Sequence, residues 1–441
     1  MNRQDVFAGA QIVTQHPILV EEAEVRSQYY AYLKKLIKST KMDRRKFSKA
    51  QLSFYQNALC GENAYVEQYE DWRAIRRYCY LLPFDVAAVL AYSKKLGTFT
   101  ATTLINQIRC DFDLPYEAAG LLHSEFLAAL GDEQAWDDIF HEKKLSRHKA
   151  YFRLVRNNLA FIQERPYSIL ITATMSAGKS TLINALVGQN ISLMQNMAAT
   201  SKIHTIISKS FDDGVTTEYD SEISLDATKD ELLTDNESNR TSRITVSTYF
   251  NGLLCGQRIT LYDSPGVNSS ENPEHTEITN KMIRSKKYKL LVYVLNATQL
   301  GTTDEEQHLD LVAKAVGRRN ILFVMNKIDH LISEDESLSD VIMRQVDFLK
   351  QKGFKAPIIC PVSARAAYLA KKGKKEQLSR LERRELESYS DKFAQSGLPE
   401  YYENEMGCPP ISGTGDETDD LYRDCGFAYF ENIIIQYKKE R

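Results

Sequence analysis

The sequence lacks several features that would assign it to a class of protein at once. Its seven cysteines never form a Cys-x-x-Cys pair, which argues against a zinc site and against a disulfide framework. Its formal net charge is only −3, so no overall positive field attracts nucleic acid or anionic lipid. It also has no apolar run long enough to span a bilayer and no signal-peptide pattern. We therefore expect a cytoplasmic protein with reduced thiols and no transmembrane segment.

The length and the hydrophobic pattern predict three regions. The chain has 441 residues, of which 43% are hydrophobic and 26% charged, an ordinary globular composition with room for two or three domains. Residues 17–163 carry apolar positions at helical spacing and are interrupted at glycines and prolines, which indicates a bundle of six or seven helices. We predict an all-α domain over residues 1–163, an α/β domain over 164–364 and a helical extension over 365–441.

Strand and helix patterns alternate throughout residues 164–364. This alternation predicts a mostly parallel sheet with helices on both faces. The predicted strands cover residues 167–172, 203–209, 244–250, 259–262, 290–295, 321–325 and 357–361. Residues 212–240 are polar and acidic, which indicates an insertion. The pair Asn251-Gly252 indicates a hairpin turn that gives the sheet one antiparallel edge pair.

The predicted extension begins with a long charged helix over residues 365–395 and ends with a helix over 427–438. It is expected to pack on the α/β domain or on the helical domain. Four lysines near its start form either a solvated face or a patch for phosphate lipids. These are Lys371, Lys372, Lys374 and Lys375.

A phosphate-binding loop lies between the first predicted strand and the helix that follows it. Residues 173–180 read ATMSAGKS, a Walker-type loop in which Ala173 replaces the usual first glycine. In such loops backbone N–H groups and the helix N-terminus hold a phosphate, the lysine bridges two phosphates, and the serine hydroxyl completes a Mg²⁺ shell. The residues expected to bind the nucleotide here are Ser176, Ala177, Gly178, Lys179, Ser180 and Thr181.

Asp263 and Gly266 follow a later predicted strand in the motif Asp-Ser-Pro-Gly. A carboxylate at this position can hold Mg²⁺ through a water molecule. The Gly266 N–H can donate to a γ-phosphate and so respond to its loss. The metal ligands predicted at this stage are therefore Ser180 and Asp263.

Two further strand ends predict the identity of the base. In Asn326-Lys327-Ile328-Asp329, the Asp329 carboxylate only accepts hydrogen bonds, and guanine presents two N–H donors on one edge. Lys327 can cover the base, and Asn326 can tie this loop to the phosphate loop. Ser363 and Ala364 match a turn whose backbone N–H contacts the guanine carbonyl. All the motifs occur in the required order at strand ends, which predicts a GTP site.

These motifs resemble those of dynamin-superfamily GTPases, particularly the compact bacterial dynamin-like proteins. The resemblance is carried by residues 175–186 (MSAGKSTLINAL), 199–205 (ATSKIHT) and 261–266 (LYDSPG). It implies that Thr200 or Ser201 coordinates Mg²⁺ and that Ser176, Lys179 and Thr200 take part in catalysis. Eukaryotic members carry glutamine where Met175 stands, and Val267 replaces the water-positioning glutamine of Ras-like enzymes. We therefore expect slow intrinsic hydrolysis.

The expected activity is Mg²⁺-dependent hydrolysis of GTP to GDP and phosphate. The resemblance implies a homodimer formed through the GTPase domain, a nucleotide-dependent rearrangement of the helical region, and contact with a membrane surface. One alternative is an adaptor locked by nucleotide that barely turns over. Another is an RNA or ribosome-assembly GTPase, although the charge balance predicts no nucleic-acid binding.

Overall fold

The computed structural model describes residues 8–9, 11–61, 69, 71–91, 98–191, 203–219, 222–224, 227, 243–266, 273–285, 287–316, 321–332 and 338–440. The chain divides into two compact units. The first unit takes in residues 1–165 and 209–213, and the second takes in 166–208 and 214–441. Among the described residues, no helix combines the length and the apolar character needed to cross a membrane.

The described part of the first unit is helical, as its apolar periodicity predicts. Its helices are α1 (Ala23–Ser39), α2 (Lys46–Cys60), α3 (Leu82–Leu90), α4 (Thr98–Asp111), α5 (Ala118–Ala129), α6 (Glu133–Ile139) and α7 (Lys149–Gln163). Pro83, one of the prolines at which the helical pattern is interrupted, lies in the first turn of α3, directly after the 3₁₀ helix Arg73–Leu81. A proline is tolerated there because the first-turn N–H groups have no helical partner.

A buried carboxylate lies at the centre of the first unit. Asp85 on α3 is fully buried and accepts hydrogen bonds from the hydroxyls of Tyr29, Tyr55 (2.9 Å) and Tyr151 (2.6 Å). His16 Nδ1 accepts from a backbone N–H, so its Nε2 carries the proton that is donated to Asp85 at 2.9 Å. Four donors thus compensate one buried charge and connect the N-terminal segment to α1, α2 and α7.

Residues 209–213 belong to the first unit although they lie far from it in sequence. Lys209 and Asp213 form a buried ion pair of 2.7 Å, and the other Asp213 oxygen accepts a 2.6 Å bond from the Gln11 N–H. Ser210 donates to Asn158 Oδ1 at 2.6 Å. These contacts attach a five-residue segment from the middle of the chain to helices near its start.

The described residues of the second unit form one nine-stranded sheet with the order β4-β3-β5-β2-β6-β1-β7-β8-β9. Its strands are β1 (Tyr167–Ala173), β2 (Ile203–Ser208), β3 (Thr216–Tyr219), β4 (Glu222–Ser224), β5 (Arg243–Thr248), β6 (Ile259–Asp263), β7 (Leu290–Asn296), β8 (Ile321–Asn326) and β9 (Ile359–Val362). The strands from β6 through β1, β7 and β8 to β9 are all parallel neighbours. The predicted α/β architecture with a mostly parallel sheet is confirmed.

The predicted hairpin at Asn251-Gly252 is wrong. Strands β5 and β6 do not pair, because β2 lies between them, parallel to β5 and antiparallel to β6. Gly252 instead leads a short 3₁₀ turn, Gly252–Leu254. The antiparallel edge is formed by β3 and β4, which lie inside the stretch predicted to be an insertion, and β3 also pairs antiparallel with β5 beyond that stretch.

Helices surround the sheet of the second unit. They are α8 (Lys179–Val187), α9 (Pro273–Arg284), α10 (Thr303–Val316), α11 (Leu338–Gln351), α12 (Ala364–Lys375), α13 (Arg380–Phe393), α14 (Glu417–Asp424) and α15 (Phe427–Lys439). The single helix predicted over 365–395 is wrong, because a break separates α12 from α13. Ser379 causes the new start, since its hydroxyl and the Glu382 carboxylate form a reciprocal capping box.

The extension contributes to the core of the second unit and is not a surface appendage. Lys371 on α12 is buried and donates to Glu431 on α15 and to the carbonyl of Asn251 at 2.9 Å. A further bond of 3.3 Å reaches the carbonyl of Leu186 near the end of α8. The C-terminal helices therefore hold the helix that follows the phosphate loop.

Candidate functional site

The carboxyl ends of five neighbouring parallel strands meet at one edge of the sheet. The register aligns Ile171 with Asp263, Asn296 with Asn326, and Asn326 with Val362. The predicted phosphate loop, metal carboxylate and base motif thus come from different strands to one place. This edge is the usual position of ligand sites in open α/β sheets.

The phosphate loop connects buried strand β1 to helix α8. Gly178 has a φ of +84° and directly precedes α8. A Cβ on this residue would collide with the side-chain amide of Asn326, so both the conformation and the space require glycine. Ser176 also has a positive φ, +62°, which turns the loop before the helix begins. Backbone N–H groups at such a turn, together with the helix N-terminus, form an anion-binding site.

Lys179 and Asp263 place opposite charges beside this loop. The Lys179 ammonium contacts Asp263 Oδ1, and the two side chains are only 13% and 9% exposed. Asp263 ends β6, and Ser264 fastens the chain after it by donating to the Ile171 carbonyl at 3.1 Å. The ammonium can contact phosphate oxygens, and the carboxylate can accept from metal-bound water.

The donor set fits Mg²⁺. Ser180, half-buried in the first turn of α8, and Asp263 offer hard oxygen atoms of the kind that Mg²⁺ prefers. In the described part of the chain, no group of three or more histidine, cysteine or acidic residues could hold a metal alone. Mg²⁺ is usually bound by one or two protein oxygen ligands together with substrate phosphates and water.

Asn326 joins three loops. Its side-chain N–H donates to the Ala177 carbonyl at 3.1 Å, and its oxygen accepts from the Ala364 N–H at 3.0 Å. The residue is 2% exposed, so both bonds are shielded from water. The tie between this loop and the phosphate loop that the sequence predicts is therefore present, and it extends to the turn at Ser363.

Lys327 and Asn296 both approach the carbonyl of Ser176. Lys327 has a φ of +66° and its ammonium donates to that carbonyl at 2.6 Å. The Asn296 amide lies 3.5 Å from the same oxygen. Asn296 was not among the residues predicted from the sequence. Its position as the last residue of an apolar strand, like Asn326, is the signal that could have identified it.

Asp329 is held in place by Ser363. The Ser363 hydroxyl donates to Asp329 Oδ1 at 2.7 Å, and the Asp329 side chain is 11% exposed. The other carboxylate oxygen lies 3.5 Å from His330 Nε2. A carboxylate fixed in this way presents acceptors in a defined direction, as a two-point contact with a guanine edge requires.

One detail of the predicted base contact is not met. The Ser363 and Ala364 N–H groups both donate within the protein, to the Cys425 carbonyl (3.1 Å) and to Asn326 Oδ1. In this structure these two groups anchor the turn, and neither is directed at a base carbonyl.

The remaining predicted site residues fall into two groups. Ser176 and Met175 are exposed on the phosphate loop, and a Cβ on Gly266 would lie 3.4 Å from Met175 Cγ. Gly266 therefore lies beside the phosphate loop. Thr181 lies in the first turn of α8. Thr200 and Ser201 lie outside the described residues, as does Val267.

Two of the four lysines considered as a solvated face or a lipid patch are used for packing instead. Lys371 is buried, Lys372 bonds Glu382 at 2.6 Å, and Lys374 pairs with Asp419. Lys375 lies 5.5 Å from the ring of Tyr249. These contacts use Lys371 and Lys372 for packing within the second unit, because each has an acidic partner on a neighbouring helix.

Part of the chain matches a known protein family. Residues 169–328 match a family model described as the Dynamin family. No curated protein matches the chain. Solved structures similar to it include an Era variant from Aquifex aeolicus bound to GDP.AlF4-, with 17% identity over 46% of this chain and 52% of that one, TM-score 0.28. The G domain of the T. maritima FeoB iron transporter matches with 14% identity over 45% and 89%, TM-score 0.26. The chain thus spans about half the length of the Era protein.

Proposed function

Residues 169–328 belong to the dynamin family of GTPases, and from this premise we propose that the protein is a Mg²⁺-dependent GTPase that acts through its nucleotide state. The family supports GTP binding and hydrolysis in general. The proposal adds guanine selection by Asp329, phosphate binding by Lys179, and slow turnover that rises on self-association or on contact with a partner.

The observation that carries the proposal is the bridge made by Asn326. This one buried side chain bonds the phosphate loop at Ala177 and the Ser363 turn at Ala364, while Ser363 holds Asp329. A base site and a phosphate site are thereby linked at fixed separation, which suits a ligand that contains both a guanine and a polyphosphate. A buried acceptor site of this type rejects adenine, which presents an acceptor where guanine has a donor.

The site chemistry follows the general pattern of phosphoryl transfer. The Lys179 ammonium and the backbone N–H groups of residues 176–180 would stabilise negative charge as it moves to the leaving oxygen. A bound Mg²⁺, held by Ser180, Asp263 and one of Thr200 and Ser201, would neutralise phosphate charge. Ser176 is the loop side chain that we propose to contact the γ-phosphate. The thioether of Met175 cannot orient a water molecule as an amide does, which is why slow hydrolysis is proposed.

The proposed coupling to the helical unit has a direct covalent path. Strand β2 includes the last three residues of the segment 199–205, whose sequence resembles a nucleotide-sensing switch, and it ends at Ser208. The next five residues, 209–213, fold with the first unit through the Lys209 and Asp213 ion pair. A displacement of the switch would be passed along one strand to the helices. Homodimerisation through the GTPase domain and contact with a membrane surface also belong to the proposal.

Calorimetry with GDP, GTP, ADP and ATP in the presence of Mg²⁺ tests the binding site. We expect a preference for the guanine nucleotides of about 10⁴-fold and loss of binding in Lys179→Ala. Asp329→Asn is the matched variant, because an amide can donate to the second carbonyl of xanthine and still accept from its N–H. That variant should gain affinity for xanthosine diphosphate and lose affinity for GDP. Equal affinity for GDP and ADP in the parent protein would reject the proposal.

The adaptor alternative keeps the binding site but removes turnover, and Met175 is the observation that favours it. Single-turnover GTP hydrolysis at increasing protein concentration separates the two functions. A rate that rises with concentration supports a GTPase activated by self-association, and light scattering with a transition-state mimic should then report a dimer. Absence of turnover at every concentration would favour the adaptor.

A further inference from the structure

A helix of the C-terminal extension reaches the loop that carries Asp329. Lys392 lies in the last turn of α13, and its ammonium donates a 2.7 Å hydrogen bond to the backbone carbonyl of Asp329. The contact is partly buried. None of the sequence motifs points to Lys392, which lies 63 residues beyond Asp329 in the chain.

The bond completes a short turn. Asp329 is the middle residue of the 3₁₀ turn Ile328–His330. The Lys327 carbonyl accepts from the His330 N–H at 3.2 Å, and the Ile328 carbonyl accepts from the Leu331 N–H at 2.8 Å. The next carbonyl along, that of Asp329, accepts from Lys392. A charged donor at this position stabilises the turn more than a neutral one would.

Helix α13 is itself fastened to the helix that begins at the base site. Arg365 on α12 donates two bonds, of 2.8 and 2.6 Å, to the Glu385 carboxylate on α13. A two-bond guanidinium contact fixes direction as well as distance. Helix α12 starts directly after Ser363, whose hydroxyl bonds the Asp329 side chain. Asp329 is therefore held at two points, the carboxylate by Ser363 and the carbonyl by Lys392.

Tyr389, one turn before Lys392 on the same helix, is also close to this site. Burial raises the pKa of the Tyr389 hydroxyl, and the negative charge of Asp329 raises it further. The hydroxyl is therefore neutral, and the influence of Asp329 on it agrees with the Lys392 bond in placing α13 beside the loop that carries Asp329.

We infer that Lys392 is a positioning residue for guanine selection: by holding the Asp329 carbonyl it sets the direction of the Asp329 carboxylate. The inference rests on the proposed function, since it assumes that Asp329 contacts guanine. A carboxylate in the correct direction accepts from both N–H donors of guanine. Hypoxanthine has only one of these donors, because it lacks the 2-amino group. Rotation of the carboxylate should therefore weaken GDP binding more than IDP binding.

Lys392→Met is the principal test variant, because it keeps most of the aliphatic stem and removes the donor. We expect it to weaken GDP binding about tenfold and IDP binding by less than about threefold, as measured by calorimetry. Lys392→Arg still offers a cationic donor and should restore most of the GDP to IDP ratio. Arg384→Ala, at an exposed position of the same helix, is the matched control and should leave both affinities unchanged.

Two results would overturn the inference: an unchanged GDP affinity in Lys392→Met, or equal losses for GDP and IDP, which would indicate a merely structural role. If the methionine variant does not fold, Lys392→Gln takes its place, since its shorter side chain cannot reach the carbonyl. The comparison of GDP with ADP in the parent protein is independent of Lys392. Failure of the proposed function can therefore be told apart from failure of this inference.

Discussion

The bridge made by Asn326 can be broken with almost no change of shape by Asn326→Asp. One carboxylate oxygen of the variant can still accept from the Ala364 N–H, as the amide oxygen does at 3.0 Å. The second oxygen replaces the N–H donor and faces the Ala177 carbonyl, 3.1 Å away in the parent. A hydrogen bond becomes a repulsion between two oxygens in a place that is 2% exposed.

The expected cost follows from these contacts. Loss of one buried bond and the unsatisfied Ala177 carbonyl together amount to about 2 to 4 kcal/mol, or about 30- to 1,000-fold in GDP affinity. Asn296→Asp is the matched control at the same sheet edge. Its amide lies 3.5 Å from the Ser176 carbonyl, at the limit of a hydrogen bond, so we expect a loss of less than about fivefold.

Calorimetric titration of GDP into both variants distinguishes the two bonds, with thermal unfolding as a check on folding. The buried carboxyl of Asn326→Asp should have a raised pKa. Its protonated form can again donate to Ala177, so GDP affinity should recover as the pH falls toward about 5. Equal losses in the two variants, or no recovery at low pH, would refute the assignment of Asn326 as the bridge.

Three further predictions concern buried charges. Burial raises the pKa of Glu305 from 4.5 to about 7. The free energy of unfolding is therefore highest below pH 4.5 and falls as the pH rises through 7, because the folded protein disfavours the charged carboxylate. Urea unfolding should therefore find Glu305→Gln more stable by about 3 kcal/mol near pH 8.5 and equal near pH 4; a constant difference would contradict this. Asp85→Ala removes the shared acceptor of four buried donors and should cost roughly 4 kcal/mol by the same assay, whereas a loss under about 1 kcal/mol would contradict the cluster. Lys371→Met should cost about 3 to 5 kcal/mol, and adding Glu431→Leu should recover part of it; no recovery would show that the pair is not coupled.

Much of the second unit was predictable because its signals are local. Consecutive residues carry the apolar pattern of the strand, the glycine of the loop and the helical spacing that follows. The bounds of β1, the loop before Lys179 and α8 could therefore be predicted within a residue or two. The order of the motifs predicted that they share one sheet edge, since parallel strands end on the same side. The helical character of the first unit was predictable for the same reason.

Several of the errors involve partners that are distant in the chain. The strand order around β2 depends on which strand packs beside β6, and a plausible turn at Asn251-Gly252 carries no information about that choice. The neighbours of Lys371 in the sequence predict a surface lysine. Its ion pair with Glu431, sixty residues later, allows it to be buried in the core instead. The contact between the Asn296 amide and the Ser176 carbonyl likewise arises only in the folded sheet, where β7 lies beside β1.

By itself, the sequence determined the chemistry: an ammonium and backbone donors for phosphate, oxygen ligands for Mg²⁺, and a carboxylate suited to guanine. Residue types and short spacings are enough for that, because each group's capacity to donate, accept or carry charge is intrinsic. Only the tertiary structure decided how these groups are held, through Asn326 across three loops, Ser363 on the Asp329 carboxylate and Lys392 on its carbonyl. Direction and distance arise from long-range packing, which brings together residues that the chain keeps far apart.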